Sequence, residues 1–286
     1  MMTDFLVYDV FTDRAFGGNP LAVIPNATTL AEGQLQRVAR EFNFSETTFV
    51  YPPEGDGDAR VRIFTPTMEI PFAGHPTIGT ALALKDLGRV GTDMVLELGV
   101  GPIPVKIDGT VARFTTRVPL ETWPGPSPEL VAQSVGLTAS AIRTDRHAPE
   151  NASVGLPFTL AEFTDRGALA AAQPNSEAFR AFAPYFQSDS HIALLAYTRD
   201  GTTIDARMFA PLDGIPEDPA TGSAAAALGA FLGRLEGTSS TYEINQGVDM
   251  GRPSRITAEV IVENGNPVEV AISGQAVRTM EGQLTL

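Results

Sequence analysis

Apolar residues fall in short runs along most of the chain, and in two places they lengthen into helices. Phe5–Val10 and Leu21–Ile24 read as strands separated by the turn cluster Gly17-Gly18-Asn19-Pro20. Thr29 and Glu32 have capping-box spacing, and Leu35, Val38, Ala39 and Phe42 behind them form one helical stripe. Thr47–Tyr51, which Pro52-Pro53 ends, and Val61–Thr65 read as extended. The pattern predicts an Ala/Leu-rich helix over Ile78–Leu87, closed by Gly88. Three strand-like segments follow, Met94–Leu98, Ile103–Ile107 and Val111–Arg117. Pro119, Pro124, Gly125, Pro126 and Pro128 then mark the clearest linker. Beyond it, Ile192–Tyr197 and Ile204–Phe209 read as strands, Ala224–Leu235 as a helix, and most of residues 242–286 as strand.

The second half echoes the first. Arg62-Ile63-Phe64-Thr65-Pro66 resembles Arg207-Met208-Phe209-Ala210-Pro211, and Ile70-Pro71 matches Ile215-Pro216 at the same offset of 145. After a two-residue deletion, His75-Pro76-Thr77-Ile78-Gly79 lies over Asp218-Pro219-Ala220-Thr221-Gly222. Many short strands with one long apolar helix per half predict an α+β fold. The expected architecture is two similar domains, each a sheet curled around a central helix, related by a pseudo-two-fold axis with a cleft between them. The expected division is 1–118 and 119–286, with the final strand free to cross back to the first domain.

Composition narrows the function. A formal net charge of −14 over 286 residues leaves no electrostatic footprint for nucleic acid or an anionic membrane. The absence of cysteine removes disulfides, thiolate metal sites and a thiol nucleophile, and fits a cytoplasmic setting. No basic and apolar leader stands at the N-terminus, and Ala224–Leu232 is far too short to span a bilayer. Three histidines with no His-x-x-x-His pair argue against a metal hydrolase, and no glycine-rich nucleotide fingerprint is present.

The candidate chemistry sits at the starts of the two long helices. Proline suits the first helical position, so Pro76 and Pro219 place His75 and Asp218 just before their helices. Such starts attract anions, and Gly74, Gly79 and Gly222 would let backbone approach a ligand. Asp218 is equally an ordinary N-cap, and His75 equally a core histidine. His147 and His191 carry no supporting pattern. Glu46 lies between Phe44 and Phe49, where burial would raise its pKa and suit it to pass a proton; a surface loop glutamate is the alternative.

Several blocks resemble the PhzF (phenazine-biosynthesis) family. They are Asp9-Val10-Phe11-Thr12 with Phe16-Gly17-Gly18-Asn19-Pro20, then Ser45-Glu46-Thr47-Thr48-Phe49, then Phe64-Thr65-Pro66 through Pro71-Phe72-Ala73-Gly74-His75-Pro76-Thr77. Glu217-Asp218-Pro219-Ala220-Thr221-Gly222-Ser223-Ala224 and Gln246-Gly247 with Met250-Gly251-Arg252-Pro253-Ser254 complete the series. The resemblance implies a diaminopimelate epimerase-like fold and a homodimer. It implies catalysis by Glu46 supported by His75 and Asp218, and substrate contacts at Asn19, Gly74, Gly222 and Ser223. It also implies an isomerase of a small, cyclic, anionic substrate that needs no metal or organic cofactor. A racemase or epimerase pairing Glu46 with a second base, and a non-catalytic ligand binder, are the rival readings. A two-thiol epimerase is excluded by the lack of cysteine.

Overall fold

In the first half the apolar runs become strands β1 (Met2–Val10), β2 (Asn19–Ile24), β3 (Glu46–Tyr51), β4 (Ala59–Phe64), β5 (Glu69–Ile70), β6 (Asp93–Leu98), β7 (Gly101–Asp108) and β8 (Val111–Thr116). Helix α1 (Glu32–Phe42) links β2 to β3, and α2 (Gly74–Asp86) links β5 to β6. The second half holds β9 (Glu121–Pro124), α3 (Pro128–Ser134), β10 (Glu150–Ser153), β11 (Pro157–Glu162), α4 (Arg166–Ala171) and α5 (Ser176–Phe179). After these come β12 (Leu194–Asp200), β13 (Thr203–Ala210), β14 (Ile215–Asp218), α6 (Gly222–Glu236), β15 (Ser240–Gln246), β16 (Ser254–Glu263) and β17 (Asn266–Thr285). This computed structural model describes residues 2–186 and 191–285. The chain divides into two units, the first formed by residues up to Thr115 together with those from Ile272 onward, the second by Thr116–Ala271.

The strands of the first unit form a closed circuit. β1 pairs antiparallel with β2, β2 parallel with β3, β3 antiparallel with β4, and β4 parallel with β6. β6, β7 and β8 make an antiparallel meander, and β17 closes the ring by pairing with both β8 and β1. Residues Gly74–Leu84 of α2 are all buried, as expected of a helix surrounded on every side. Gly79 is what lets α2 sit so close to the wall. A Cβ there would lie 2.6 Å from Leu21 Cδ2 and 2.7 Å from Val10 Cγ2. Its role is helix–strand packing, which corrects the expectation that it opens the backbone to a ligand. On the outer face, α1 covers β3 and β4 through Leu35, Val38, Ala39, Phe49 and Phe64. The helix begins later than its Thr29 signal suggests. Ala31 is the cap residue, and its N–H donates to Gln34 Oε1 at 2.8 Å, so Gln34 and not Glu32 closes the first turn.

The second unit repeats this plan. β9, β10 and β11 are antiparallel, β11 runs parallel to β12, β12 antiparallel to β13, β13 parallel to β15, and β15 antiparallel to β16. Helix α6 is buried at Gly222 and from Ala224 to Gly233, where Gly229 and Gly233 bring it against Val260. Helices α3, α4 and α5, with the 3-10 turn Arg180–Tyr185 that follows, form an outer layer in which Val131, Leu169, Phe179 and Phe182 pack on Phe163, Leu194, Ala196 and Phe209. The proline-rich stretch is therefore structured and is no slack linker. Thr122 and Trp123 pair with Ala152 and Asn151, and Pro128 opens α3 behind the Ser127 cap. A proline tolerates a short strand with a free edge and the first turn of a helix, so a high proline count did not mean absence of structure.

The sequence echo is a repeated connection. The order β3-β4-β5-α2-β6-β7 recurs as β12-β13-β14-α6-β15-β16, with the same parallel and antiparallel pairings. The arginine of each Arg-x-Phe copy ties the repeat to its covering helix. Arg62 bonds Glu32 at the start of α1 and Glu69 of β5, and its guanidinium lies 5.1 Å from the Phe64 ring centre. Arg207 makes a two-pronged bond to Glu217, donates to the Leu169, Ala170 and Ala172 carbonyls that end α4, and lies 4.9 Å from the Phe209 ring centre. Arg207 is only 4% exposed, whereas the Glu32 side chain bound by Arg62 is 75% exposed. Arg207→Ala is therefore expected to lower unfolding free energy by ~3–5 kcal/mol, the usual cost of orphaning one half of a buried pair. Arg62→Ala should cost about 1 kcal/mol, because solvent screens its partners. Urea unfolding of both variants checks the ratio.

Candidate active site

The parallel register of β2 and β3, with Leu21 opposite Glu46, brings the first residues of both strands to the same end of the first unit. Helix α2 starts at that end. Thr80 Oγ1 donates to Thr48 Oγ1 at 2.9 Å, pinning the helix to β3 so that its first turn lies beside Glu46. His75 lies inside this first turn, with Ala73 as the cap residue. This corrects the expectation that His75 precedes the helix. Proline is compatible with any position whose N–H has no partner, so Pro76 can follow two helical residues. The turn is closed by Thr77, whose hydroxyl donates to the Ala73 carbonyl at 2.8 Å.

Around this turn the structure gathers Asn19, Ser45, Glu46, Gly74 and His75. His75 Nδ1 lies 3.4 Å from Glu46 Oε2 and 3.5 Å from Asn19 Nδ2. Ser45 Oγ donates to Asn19 Oδ1 at 3.0 Å. Burial pushes the His75 pKa down to about 3, because the protonated ring would lose its hydration. The imidazole is thus neutral at ordinary pH, and its contact with Glu46 is not an ion pair. His75 Nε2 is buried and has no hydrogen-bond partner among the described residues. A buried donor or acceptor left without a partner costs free energy, and a ligand atom would relieve that cost. Of the two phenylalanines flanking Glu46 in sequence, Phe49 lies in the layer beneath α1 and packs edge-on against Phe64 at 5.3 Å, and Phe44 stacks on Phe42, the last residue of α1, at 5.9 Å.

In the second unit Asp218 ends β14, opposite Met208, and α6 begins four residues later with Thr221 as its cap residue. Asp218 is therefore not the residue before the helix. It holds the cap instead, accepting the Thr221 hydroxyl at 2.5 Å. Gln246 fixes the corner: its Nε2 donates to the Asp218 carbonyl at 2.8 Å and to Thr221 Oγ1 at 3.0 Å. Its Oε1 accepts the Thr221 N–H at 3.2 Å. Gly247 follows at φ +72°, where a Cβ would lie 2.4 Å from the Arg252 carbonyl oxygen and 2.6 Å from that of Pro219. No residue with a side chain fits there. Gly222 is buried in the first turn of α6, and Ser223 beside it is half-buried. Thr221, Gln246 and Gly247 had no role assigned from the sequence, although all three lie in the blocks that carried the resemblance.

The other two histidines belong to separate pairs. His147 Nε2 lies 2.6 Å from the Tyr197 hydroxyl, and its ring packs edge-on against Phe231. His191 Nδ1 lies 2.7 Å from Asp213 Oδ2, with Phe158 against the ring. Among the described residues no three of His, Asp and Glu gather as a metal-holding set. No helix there is long and apolar enough to cross a membrane.

Comparison with known proteins finds relatives along nearly the whole chain. The family described as phenazine biosynthesis-like protein, PhzC-PhzF, matches residues 8–282. The chain is 36% identical to a trans-2,3-dihydro-3-hydroxyanthranilate isomerase of Pseudomonas aeruginosa, over 100% of both chains. Its fold superposes on a Bacillus anthracis phenazine biosynthesis protein of the PhzF family with a TM-score of 0.90, at 24% identity and 100% coverage of both. A Pseudomonas aeruginosa protein described as a predicted epimerase gives a TM-score of 0.82 at 28% identity, with 99% of each chain covered. The α+β fold expected from the sequence, of the diaminopimelate epimerase-like kind, is the one these structures share.

Proposed function

The chain belongs to the phenazine biosynthesis-like PhzC-PhzF family and is an isomerase or epimerase, and from that premise we propose that it shifts a proton between two carbons of a small, cyclic, anionic substrate, with Glu46 as the carrier. The observation that carries the reading is Glu46 Oε2 lying 3.4 Å from Nδ1 of a buried histidine that stays neutral. As a carboxylate, Glu46 accepts a proton from carbon. Once it is a carboxylic acid, the Nδ1 lone pair can accept its O–H hydrogen bond, and the proton is then returned to a second carbon. Atoms and charge balance without a metal or an organic cofactor. A neutral imidazole whose Nε2 bears the hydrogen is a donor for a substrate carboxylate or hydroxyl oxygen, and a preorganised donor in a dry pocket stabilises developing negative charge. Asn19 and Gly74 beside Glu46, and Asp218, Gly222 and Ser223 in the second unit, are assigned to holding the polar substituents. The reading includes a homodimer, as the resemblance implied, working in the cytoplasm, the setting that the absence of cysteine fits.

The test is turnover of trans-2,3-dihydro-3-hydroxyanthranilate in deuterated water, followed by proton NMR. Loss of one vinyl signal, with a new signal or a deuterium at another ring carbon, is the expected result. Binding with neither a double-bond shift nor exchange would overturn the reading. Inversion of a stereocentre without a bond shift would instead favour the epimerase alternative, which the similarity to the Pseudomonas aeruginosa predicted epimerase supports.

A further inference from the structure

We infer that Phe16 selects the substrate by shape, its ring lying flat against the planar ring of the bound molecule. The inference rests on the site assigned to Glu46 and His75 above, and its test reads binding separately from turnover.

Strand pairing gives the place of the residue. β1 ends at Val10, β2 begins at Asn19, and these two residues are partners. The loop between them therefore stands at the end of the first unit where Asn19 meets His75 at 3.5 Å, and where β3 and α2 begin. Phe16 is three residues before Asn19, so its Cα is held within about 11 Å of that residue. A phenylalanine side chain and a small cyclic ligand together bridge such a distance.

The backbone sets Phe16 apart. Among the described residues, four that are not glycine have a left-handed conformation: Phe11, Phe16, Asn43 and Asn264. Asparagine tolerates it, whereas a phenylalanine there costs free energy that the surroundings must offset. For Phe11 the offset is visible. It is fully buried, its N–H donates to the Gln275 carbonyl at 2.7 Å, and Gly274 leaves room for its ring. Phe16, at φ +68°, is instead 74% exposed, the most of any large apolar residue described. Its base is nonetheless fixed. The Phe16 N–H donates to Asp9 Oδ2 at 2.7 Å, and a Cβ on Gly18 would lie 2.3 Å from the Val10 carbonyl oxygen, so the turn admits no other residue there.

An apolar side chain exposed singly is ordinary. One kept in a costly conformation beside a site, with two glycines next to it in the chain, needs a contact that repays the cost. A flat ligand supplies it, because aromatic faces pack in offset stacks with centres roughly 4.5–7 Å apart. A puckered ring offers no such face.

Calorimetric binding of two acids with the same substituents tests this: anthranilate, whose ring is flat, and 2-aminocyclohexanecarboxylate, whose ring is puckered. The native protein should bind anthranilate more tightly. Phe16→Gly should lose about tenfold in anthranilate affinity and little for the puckered acid, and Phe16→Tyr, which keeps the ring, should bind both as the native protein does. Glycine also removes the left-handed strain, so Phe16→Gly should unfold at the same urea concentration or a higher one, and its loss of affinity is not a loss of fold. On trans-2,3-dihydro-3-hydroxyanthranilate, KM should rise about tenfold in Phe16→Gly, with a smaller change in kcat. A Phe16→Gly protein that binds anthranilate as tightly as the native one, or that loses both acids equally, would overturn the inference while leaving the Glu46 reading intact. Loss of a dimer in Phe16→Gly with unchanged affinity would place the ring at a subunit contact and overturn it as well. A native protein that binds neither acid and turns nothing over would count against the proposed site itself, and the inference would fall with it.

Discussion

Glu46→Gln is expected to lower kcat by ~10²–10⁴-fold, the range that one positioned acid–base group supplies. Glutamine has the same length and planarity, so it retains the contacts of the side chain but can neither take a proton from carbon nor give one back. Solvent deuterium should cease to enter the substrate in parallel. The fold should survive, because the Glu46 side chain is 14% exposed at a strand start and carries none of the ring-closing pairings. Glu46→Asp provides the geometric control. It keeps the carboxyl but withdraws it by one methylene from the position 3.4 Å from His75 Nδ1, and a displacement of that size can cost about 10²-fold. Rates for both variants on trans-2,3-dihydro-3-hydroxyanthranilate, with unfolding midpoints as the folding control, decide the matter. A Gln variant that keeps a tenth of native kcat would remove Glu46 from the reaction.

How much of this was legible in the sequence depended on how local each determinant was. The two central helices were visible because small and apolar residues surround them completely, as at Thr80-Ala81-Leu82-Ala83-Leu84 and Ala224-Ala225-Ala226-Ala227-Leu228. The echo of Arg62-Ile63-Phe64 in Arg207-Met208-Phe209 was visible too, and it marks a repeated strand, loop and helix. Helices α3, α4 and α5 were not visible. They have 7, 6 and 4 residues, too few to show a period, and their apolar residues find partners only in strands distant in sequence. The stretch Pro119–Pro128 read as a linker because its prolines dominate locally, while the pairing of its Glu121–Pro124 segment with β10 is not a local property. Within the site, periodicity gave no reason to choose Glu46 over any other surface glutamate, and the resemblance supplied it. Which nitrogen of His75 faces Asn19, and the corner that Gln246 makes at Asp218, arise only when separate strands meet. The start of α6 was displaced for the same reason, since the Gln246 side chain that accepts the Thr221 N–H lies 25 residues further along the chain.

The buried His75 should make the protein measurably less stable as the medium is acidified. In the unfolded chain the ring titrates near 6.5, whereas in the folded protein burial holds it down to about 3. Above pH ~7 the ring is neutral in both states and contributes no pH dependence. Between those two values the unfolded chain binds a proton that the folded protein refuses, so stability falls with pH by ~1.4 kcal/mol per unit. From pH 7 to pH 5 that amounts to about 2 kcal/mol. The carboxylates also titrate toward the acid end of this window, so the comparison must be differential. His75→Gln removes the titrating ring but retains a polar side chain that can accept from Asn19. Its unfolding free energy should start below that of the native protein at pH 7, through lost packing, and the gap should narrow by about 2 kcal/mol by pH 5. Denaturant titrations of both proteins at pH 7, 6 and 5 read that gap. A gap that does not change with pH would mean that the folded ring charges as readily as the unfolded one. The ring would then be a cation beside Glu46 over part of the working range, and no Nδ1 lone pair would be there to accept from the acid form of Glu46, as the proposed mechanism requires. The same measurement therefore tests the electrostatic state on which the proposed proton shift depends.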